Sequence, residues 1–242
     1  EDESDAFIVK TDSGGNETRS VSLGRAPSDG ATGTSFESFF YRYDEVAKTA
    51  AELPDGNFII GVDRTYVRYA SESDNAGRRQ ETKVVLYVLD AASGAVTDGN
   101  ADGNELRSST NGSVAANSFT ETISDIYVDT SAGIVKYVVT GSTTNVNTKP
   151  NNSVTDNSLT DKSDIFTALL DDDYTIAWSV GNLAYGFQGS DYGVSIHKVP
   201  RGYMVCGIID RNVAPNITDD YIFYASVVAV IYNVSTGTPT EP

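Results

Sequence analysis

The chain has 242 residues, 39% hydrophobic, 10% aromatic and 21% charged, a composition that folds rather than staying disordered. Its formal net charge is −17, with a pI near 4.2, and a field of that sign repels nucleic-acid phosphates and anionic lipid head groups. The longest apolar run, YIFYASVVAVIYNV at residues 221–234, is too short for a membrane helix and its Val, Ile and Tyr favour strand, so neither nucleic acid nor membrane insertion is expected.

In chain order the first element is DAFIVKTDSGGNE, from Asp5: a short apolar run, an acidic residue, then a turn. YDEVAKTAAEL, from Tyr43, has helical composition, yet Val46 to Ala50 reads as a strand because a hairpin partner follows it. That partner is LPDGNFIIG, a turn glycine at Gly56, an apolar run and a closing Gly61. RTYVRYASESDNAGRRQET, residues 64–82, reads as a polar loop. KVVLYVLDAASGAV, from Lys83, repeats the opening form.

The two forms recur. SAGIVKYVVTG has its turn at Gly133 and closes at Gly141; a polar insert at 142–163 precedes DIFTALLDDDYTIAW, from Asp164. VPRGYMVCG has its turn at Gly202 and closes at Gly207; ASVVAVIYNVSTG, from Ala225, ends the series. Each full unit predicts a four-stranded antiparallel meander. VVLYVL and SVVAVIY are apolar on consecutive residues, the signature of strands buried on both faces. Stacked sheets supply such burial.

The pattern DG-x-h-h-h-x-G … D-h-h-h-h-x-x-D-x-x-G resembles the propeller-type β repeats of secreted bacterial surface proteins. That resemblance implies an all-β chain of propeller-like four-stranded meanders, located outside the cell or on its surface. The units are a half repeat at 1–24 and repeats at 40–100, 119–182 and 191–237, within a single all-β repeat domain. Three and a half units are too few for a closed ring, which typically takes four to eight blades. The chain therefore belongs to a longer protein, is completed by other chains, or forms an open stack or sandwich. Open sheet edges are sites for self-assembly by strand addition.

DGNADGNEL, residues 98–106, raises the question of a metal. Calcium loops place oxygen ligands at alternate positions, with glycine sixth for the bend and a backbone carbonyl seventh. Asp98, Asn100, Asp102, Gly103 and Asn104 fit positions one, three, five, six and seven, and Glu105 fits if it turns inward. Ser109 stands where a bidentate Glu is usual and Leu106 at the ninth position, so any calcium bound there is held weakly. A plain turn is the competing reading, because Asp-Gly is a turn dipeptide. Asp171 to Asp173 read as a solvated turn.

For catalysis the residues offer little. His197 is the one histidine and Cys206 the one cysteine, which nearly excludes a zinc site; His197 reads as a surface residue and Cys206 as a buried thiol. Two carboxylates suffice for glycoside hydrolysis, and Asp44, Glu45, Asp63, Asp191 and Asp210 are candidates, with nothing to single out a pair. Tyr66, Tyr69, Tyr185, Phe187 and Tyr192 lie in or beside expected loops, where aromatics stack on sugars or protein; Trp178 reads as packing. Five N-x-S/T sequons, at Asn16, Asn111, Asn151, Asn216 and Asn233, carry little weight in a chain rich in Asn, Ser and Thr. The expected function is a non-catalytic extracellular or cell-surface module that binds protein or glycan through long inter-strand loops. The competing expectations are a carbohydrate-active enzyme with paired carboxylates and a structural subunit joined by strand exchange.

Overall fold

The computed structural model describes residues 5–24, 40–69, 79–97, 100–106, 120–131, 133, 135–144, 163–171, 191–211, 224–232 and 239–240. Every regular element among them is a strand: β1 (Ala6–Thr11), β2 (Glu17–Leu23), β3 (Phe40–Glu52), β4 (Phe58–Tyr69), β5 (Arg79–Leu89), β6 (Asn104–Glu105), β7 (Glu121–Asp129), β8 (Lys136–Thr143), β9 (Asp164–Leu170), β10 (Tyr192–Val199), β11 (Gly202–Arg211), β12 (Tyr224–Tyr232) and β13 (Pro239–Thr240). They form antiparallel sheets in sequence order, β1-β2, β3-β4-β5-β6, β7-β8-β9 and β10-β11-β12-β13. The protein is therefore all-β. The chain divides into two compact units, one holding β1 to β6 and the other β7 to β13.

The turns explain the meanders. Gly56, Gly133 and Gly202 all have positive φ, at 86°, 73° and 153°, a backbone shape that costs glycine nothing. In the first of them Leu53 and Asn57 close the hairpin, with the Leu53 N–H donating to the Asn57 carbonyl at 2.8 Å. The acidic residue of the other form has its own job. Asp12 Oδ1 accepts from the backbone of Gly14 at 2.8 Å and of Asn16 at 2.9 Å. Asp90 Oδ1 accepts from Ala92 at 3.1 Å and from Ser93. Such side chains mimic a backbone turn and so select it. The bonds from Asn16 and from Ser93 hold both carboxyls below their ordinary range.

One further feature recurs. The first strand of each larger sheet carries a bulge beside a glycine of the second strand. Lys48 is the extra residue opposite Val62 and Gly61, Ser124 opposite Gly141 and Thr140, and Val194 opposite Gly207 and Cys206. Gly141 shows why the closing residue is small: a Cβ there would lie 1.8 Å from the Thr122 carbonyl oxygen. Bulges bend a strand and raise its twist, so each meander is shaped the same way.

In the first unit, the β1-β2 hairpin covers one face of the β3-β6 sheet. Ala6, Ile8, Val21 and Leu23 meet Ala47, Phe58, Ile60, Val62, Val85, Tyr87 and Leu89. Ile59, Val84, Leu86 and Val88, on the opposite face of β4 and β5, are buried as well. VVLYVL is thus buried at every position, as its consecutive apolar residues require, and each full burial contributes roughly 1.5–3 kcal/mol.

In the second unit, β10 and β11 pack on the β7-β9 sheet. The contact is close: a Cβ on Gly193 would lie 2.2 Å from Thr140 Oγ1, and one on Gly207 2.7 Å from Ile165 Cδ1. Ile165, Phe166, Ala168, Leu169 and Leu170 are all buried. SVVAVIY behaves differently, since Ala229 and Ile231 are only half-buried.

Two sequence expectations change. Residues 64–69 are not loop but the end of β4, and 79–82 open β5. Arg64 and Tyr66, two positions apart at the start of this stretch, are both buried, so the strand places polar side chains inward. Cys206 is half-buried, not buried, because it sits on the face of β11 turned away from the β7-β9 sheet. His197 is exposed on β10, as expected.

Candidate functional site

The 98–106 segment closes the β3-β6 sheet. Asp98 lies outside the described residues. Gly103, in the sixth position, has φ of 73° and nestles against β5, where a Cβ would stand 2.5 Å from Val85 Cγ1. The Asn100 side-chain amide donates to the Gly103 carbonyl at 2.6 Å and to Asn104 Oδ1 at 3.3 Å, while its Oδ1 accepts from the Asp102 N–H at 3.3 Å. Glu105 turns toward the sheet, its carboxylate 3.6 Å from Lys83 Nζ and 3.9 Å from Arg64 Nη1. The described residues bring no three acidic, histidine or cysteine side chains together around a common point. Among the described residues, Asn100, Asp102 and Asn104 carry the loop's remaining side-chain oxygens, and Glu105 is committed to its two partners.

Arg64 is the residue that sequence reading missed. It is fully buried and binds four groups in succession. Its Nε donates to Glu45 Oε1, its Nη2 donates to the Tyr87 hydroxyl and, at 2.6 Å, to the Asp102 carbonyl, and Nη1 faces Glu105. Arg64 thus ties the 98–106 loop to β3, β4 and β5. Burial pushes the Tyr87 hydroxyl up to about 12, with the Arg64 charge opposing and Glu45 adding to the rise. The register carries the signal: Glu45 and Arg64 are direct cross-strand partners, visible only once 64–69 is strand.

A second polar cluster joins β7 to β10 and β11. Asp129 accepts from Lys198 Nζ at 2.7 Å, from the Tyr203 hydroxyl and from the Ser131 N–H at 2.9 Å. Lys198 also lies 4.2 Å over the Tyr203 ring. Burial alone would raise the Asp129 carboxyl. The bonds from Lys198, Tyr203 and Ser131 outweigh it and hold the group well below the carboxylate range. Nearby, Asp125 Oδ2 accepts from the Ile196 N–H at 2.9 Å, satisfying a backbone donor of β10 that strand pairing leaves over.

The carboxylates considered for glycoside chemistry fall in two places, Asp44, Glu45 and Asp63 at neighbouring register positions of β3 and β4, and Asp191 and Asp210 beside the ends of β10 and β11. Glu45 is held by Arg64, and buried Asp63 lies 3.6 Å from Lys48 Nζ. Asp191 is fully buried ahead of β10, where its N–H donates to the Ser163 carbonyl at 2.7 Å. Asp44 and Asp210 lie on β3 and β11. Tyr66 is buried and Tyr192 exposed; Trp178, Tyr185, Phe187, Asp172 and Asp173 lie outside the described residues. Asp171 meets Lys136 at 3.8 Å.

The connections divide into two kinds. Within each larger sheet, the first and second strands are joined by a tight glycine turn. The second and third are joined across 70–78, 144–163 and 212–223, which leave the opposite end of the sheet. No protein-family model, curated protein or solved structure matches this chain.

Proposed function

We propose that the chain is a non-catalytic module of propeller-type β repeats, placed outside the cell or on its surface, that binds protein or glycan through the connections between second and third strands. One observation carries the reading: the meanders share an asymmetry. One end of each is closed by a tight glycine turn and the other by a longer connection, of which 144–163 is rich in Asn, Ser and Thr. A rigid repeated frame with variable segments at one end is the arrangement in which loops do the recognition. The buried carboxylates support it, since those at Glu45, Asp63 and Asp129 are occupied by internal cations.

A glycan array probed with the intact chain tests this, beside a variant whose residues 145–162 are replaced by a short Gly-Ser linker. We expect binding by the intact chain and a loss of tenfold or more in the variant at unchanged melting temperature. Hydrolysis of glycosides by the intact chain would contradict the reading, as would binding that survives replacement of all three connections.

Weak calcium binding at the 98–106 loop belongs to the same proposal, favoured by the positive φ of Gly103 at the sixth position. Calcium at about ten times its dissociation constant stabilises by about 1.4 kcal/mol, or roughly 3–5 °C in melting temperature for a chain of this size. Equal melting in millimolar calcium and in chelator removes the site.

A further inference from the structure

The chain holds one histidine, one methionine and one cysteine in 242 residues, and β10 and β11 bring all three to one face of one hairpin. His197 and Met204 are direct cross-strand partners, and Cys206 stands two residues beyond Met204, opposite Ser195. Successive side chains of a strand alternate between faces, so Met204 and Cys206 share a face, and His197 shares it through its pairing with Met204. That face is turned away from the β7-β9 sheet, since Ile196, Tyr203 and Val205, at the alternate positions, are buried. His197 is exposed, Met204 and Cys206 are half-buried, and Cys206 is a free thiol. Directly opposite residues have Cβ atoms about 5 Å apart and diagonal ones lie within about 7–8 Å, so imidazole, thioether and thiol can close on one atom above the sheet.

We infer that His197, Met204 and Cys206 form a binding site for a soft monovalent metal ion, copper(I). The donor set selects the metal. Thiolate and thioether sulfurs are soft ligands that suit copper(I), and imidazole suits copper as well. Zinc takes its ligands from histidine, cysteine and carboxylates, and among the described residues no third such group joins His197 and Cys206. Calcium takes oxygen ligands only. The surroundings agree with a soft cation. Lys198, next in the chain to His197, is turned to the other face, where its ammonium meets Asp129 at 2.7 Å, so it sets no positive charge beside the site. On β12, Ile231 pairs with Met204 and Ala229 with Cys206, both half-buried, which lays an apolar flank beside the two sulfurs. Such a flank limits the access of water to a metal centre. Cys206 binds as the thiolate, its S–H proton passing to solvent as the metal–sulfur bond forms. The net charge of −17 draws cations toward the molecule.

Two titrations of the full chain test this, one with silver(I), a soft monovalent ion that air does not oxidise, and one with copper(I) delivered without oxygen from a chromogenic chelator. Wild type is expected to bind one ion per chain. The methionine methyl and imidazole resonances, each belonging to one residue of the chain, are expected to shift together as the site fills. Met204→Leu, His197→Gln and Cys206→Ser should each weaken binding tenfold or more, with melting temperatures reporting that the variants are folded. Met204→Leu is the sharpest of the three, because it keeps the apolar volume and the thiol and removes the thioether. Binding that Met204→Leu and His197→Gln leave intact would mean that Cys206 alone takes the metal, and overturns the inference. A chain that binds neither ion overturns it too, as does zinc bound as tightly as copper(I) or a methionine methyl resonance that silver(I) leaves in place.

Discussion

Arg64 places a charge where the strand pattern calls for an apolar side chain, and its neighbours set the consequence. Glu45 neutralises it, Tyr87 and the Asp102 carbonyl take Nη2, but Glu45 Oε2 has no hydrogen-bond partner among the described residues. Breaking a buried pair from one side leaves a bare charge and costs about 3–5 kcal/mol, whereas replacing both partners with apolar groups is often neutral. Arg64→Met is therefore expected to cost about that much in chemical denaturation, and Arg64→Met with Glu45→Met to recover most of it. Additive losses in the double variant would show that the two side chains do not act as a pair. Tyr87 adds a pH signature. Its folded pKa is raised from 10.0 to about 12, so its contribution is complete below pH 10 and is lost as pH rises toward 12. Tyr87→Phe should cost about 1–2 kcal/mol at neutral pH and flatten the alkaline limb of the stability profile. An unchanged limb would place the alkaline transition elsewhere.

At the scale of the element, much of the fold is legible in the sequence. Gly56, Gly133 and Gly202 mark turns by residue type alone, since each needs a positive φ. Asp12 and Asp90 mark turns because a short carboxylate can bond the backbone two residues on. VVLYVL announces its two-sided burial. The bulges are less visible, because an extra residue leaves no compositional trace, although Gly61, Gly141 and Gly207 lie beside all three. What stays hidden are contacts between sheets. Nothing around Asp129 in VDTSAG predicts that Lys198 and Tyr203 will meet it, because the three converge only through stacking. Asp129→Asn tests that junction. Hydrogen bonds to a charged group contribute about 1.5–3 kcal/mol, so a loss of that size is expected at pH 7. The folded carboxyl is held below its ordinary value near 3.8, so its contribution is present above that pH and declines as pH falls further. The variant should lack this acid-dependent decline. A parallel fall in both proteins below about pH 4 would assign it to other carboxylates.

Over the whole molecule, charge and apolar surface pull in opposite directions. With 34 acidic against 17 basic residues, the compact state repels itself and repels its copies. The screening length falls from roughly 30 Å at 0.01 M salt to roughly 10 Å at 0.1 M. Within that range the folded state should gain stability, because its charges are closer together than those of the unfolded chain. Thermal melting across that salt series checks this, and the melting temperature is expected to rise between about 0.01 M and about 0.1 M salt as the excess of 34 acidic over 17 basic residues is screened. A melting temperature that stays level would mean that the unfolded chain carries the same repulsion as the folded one.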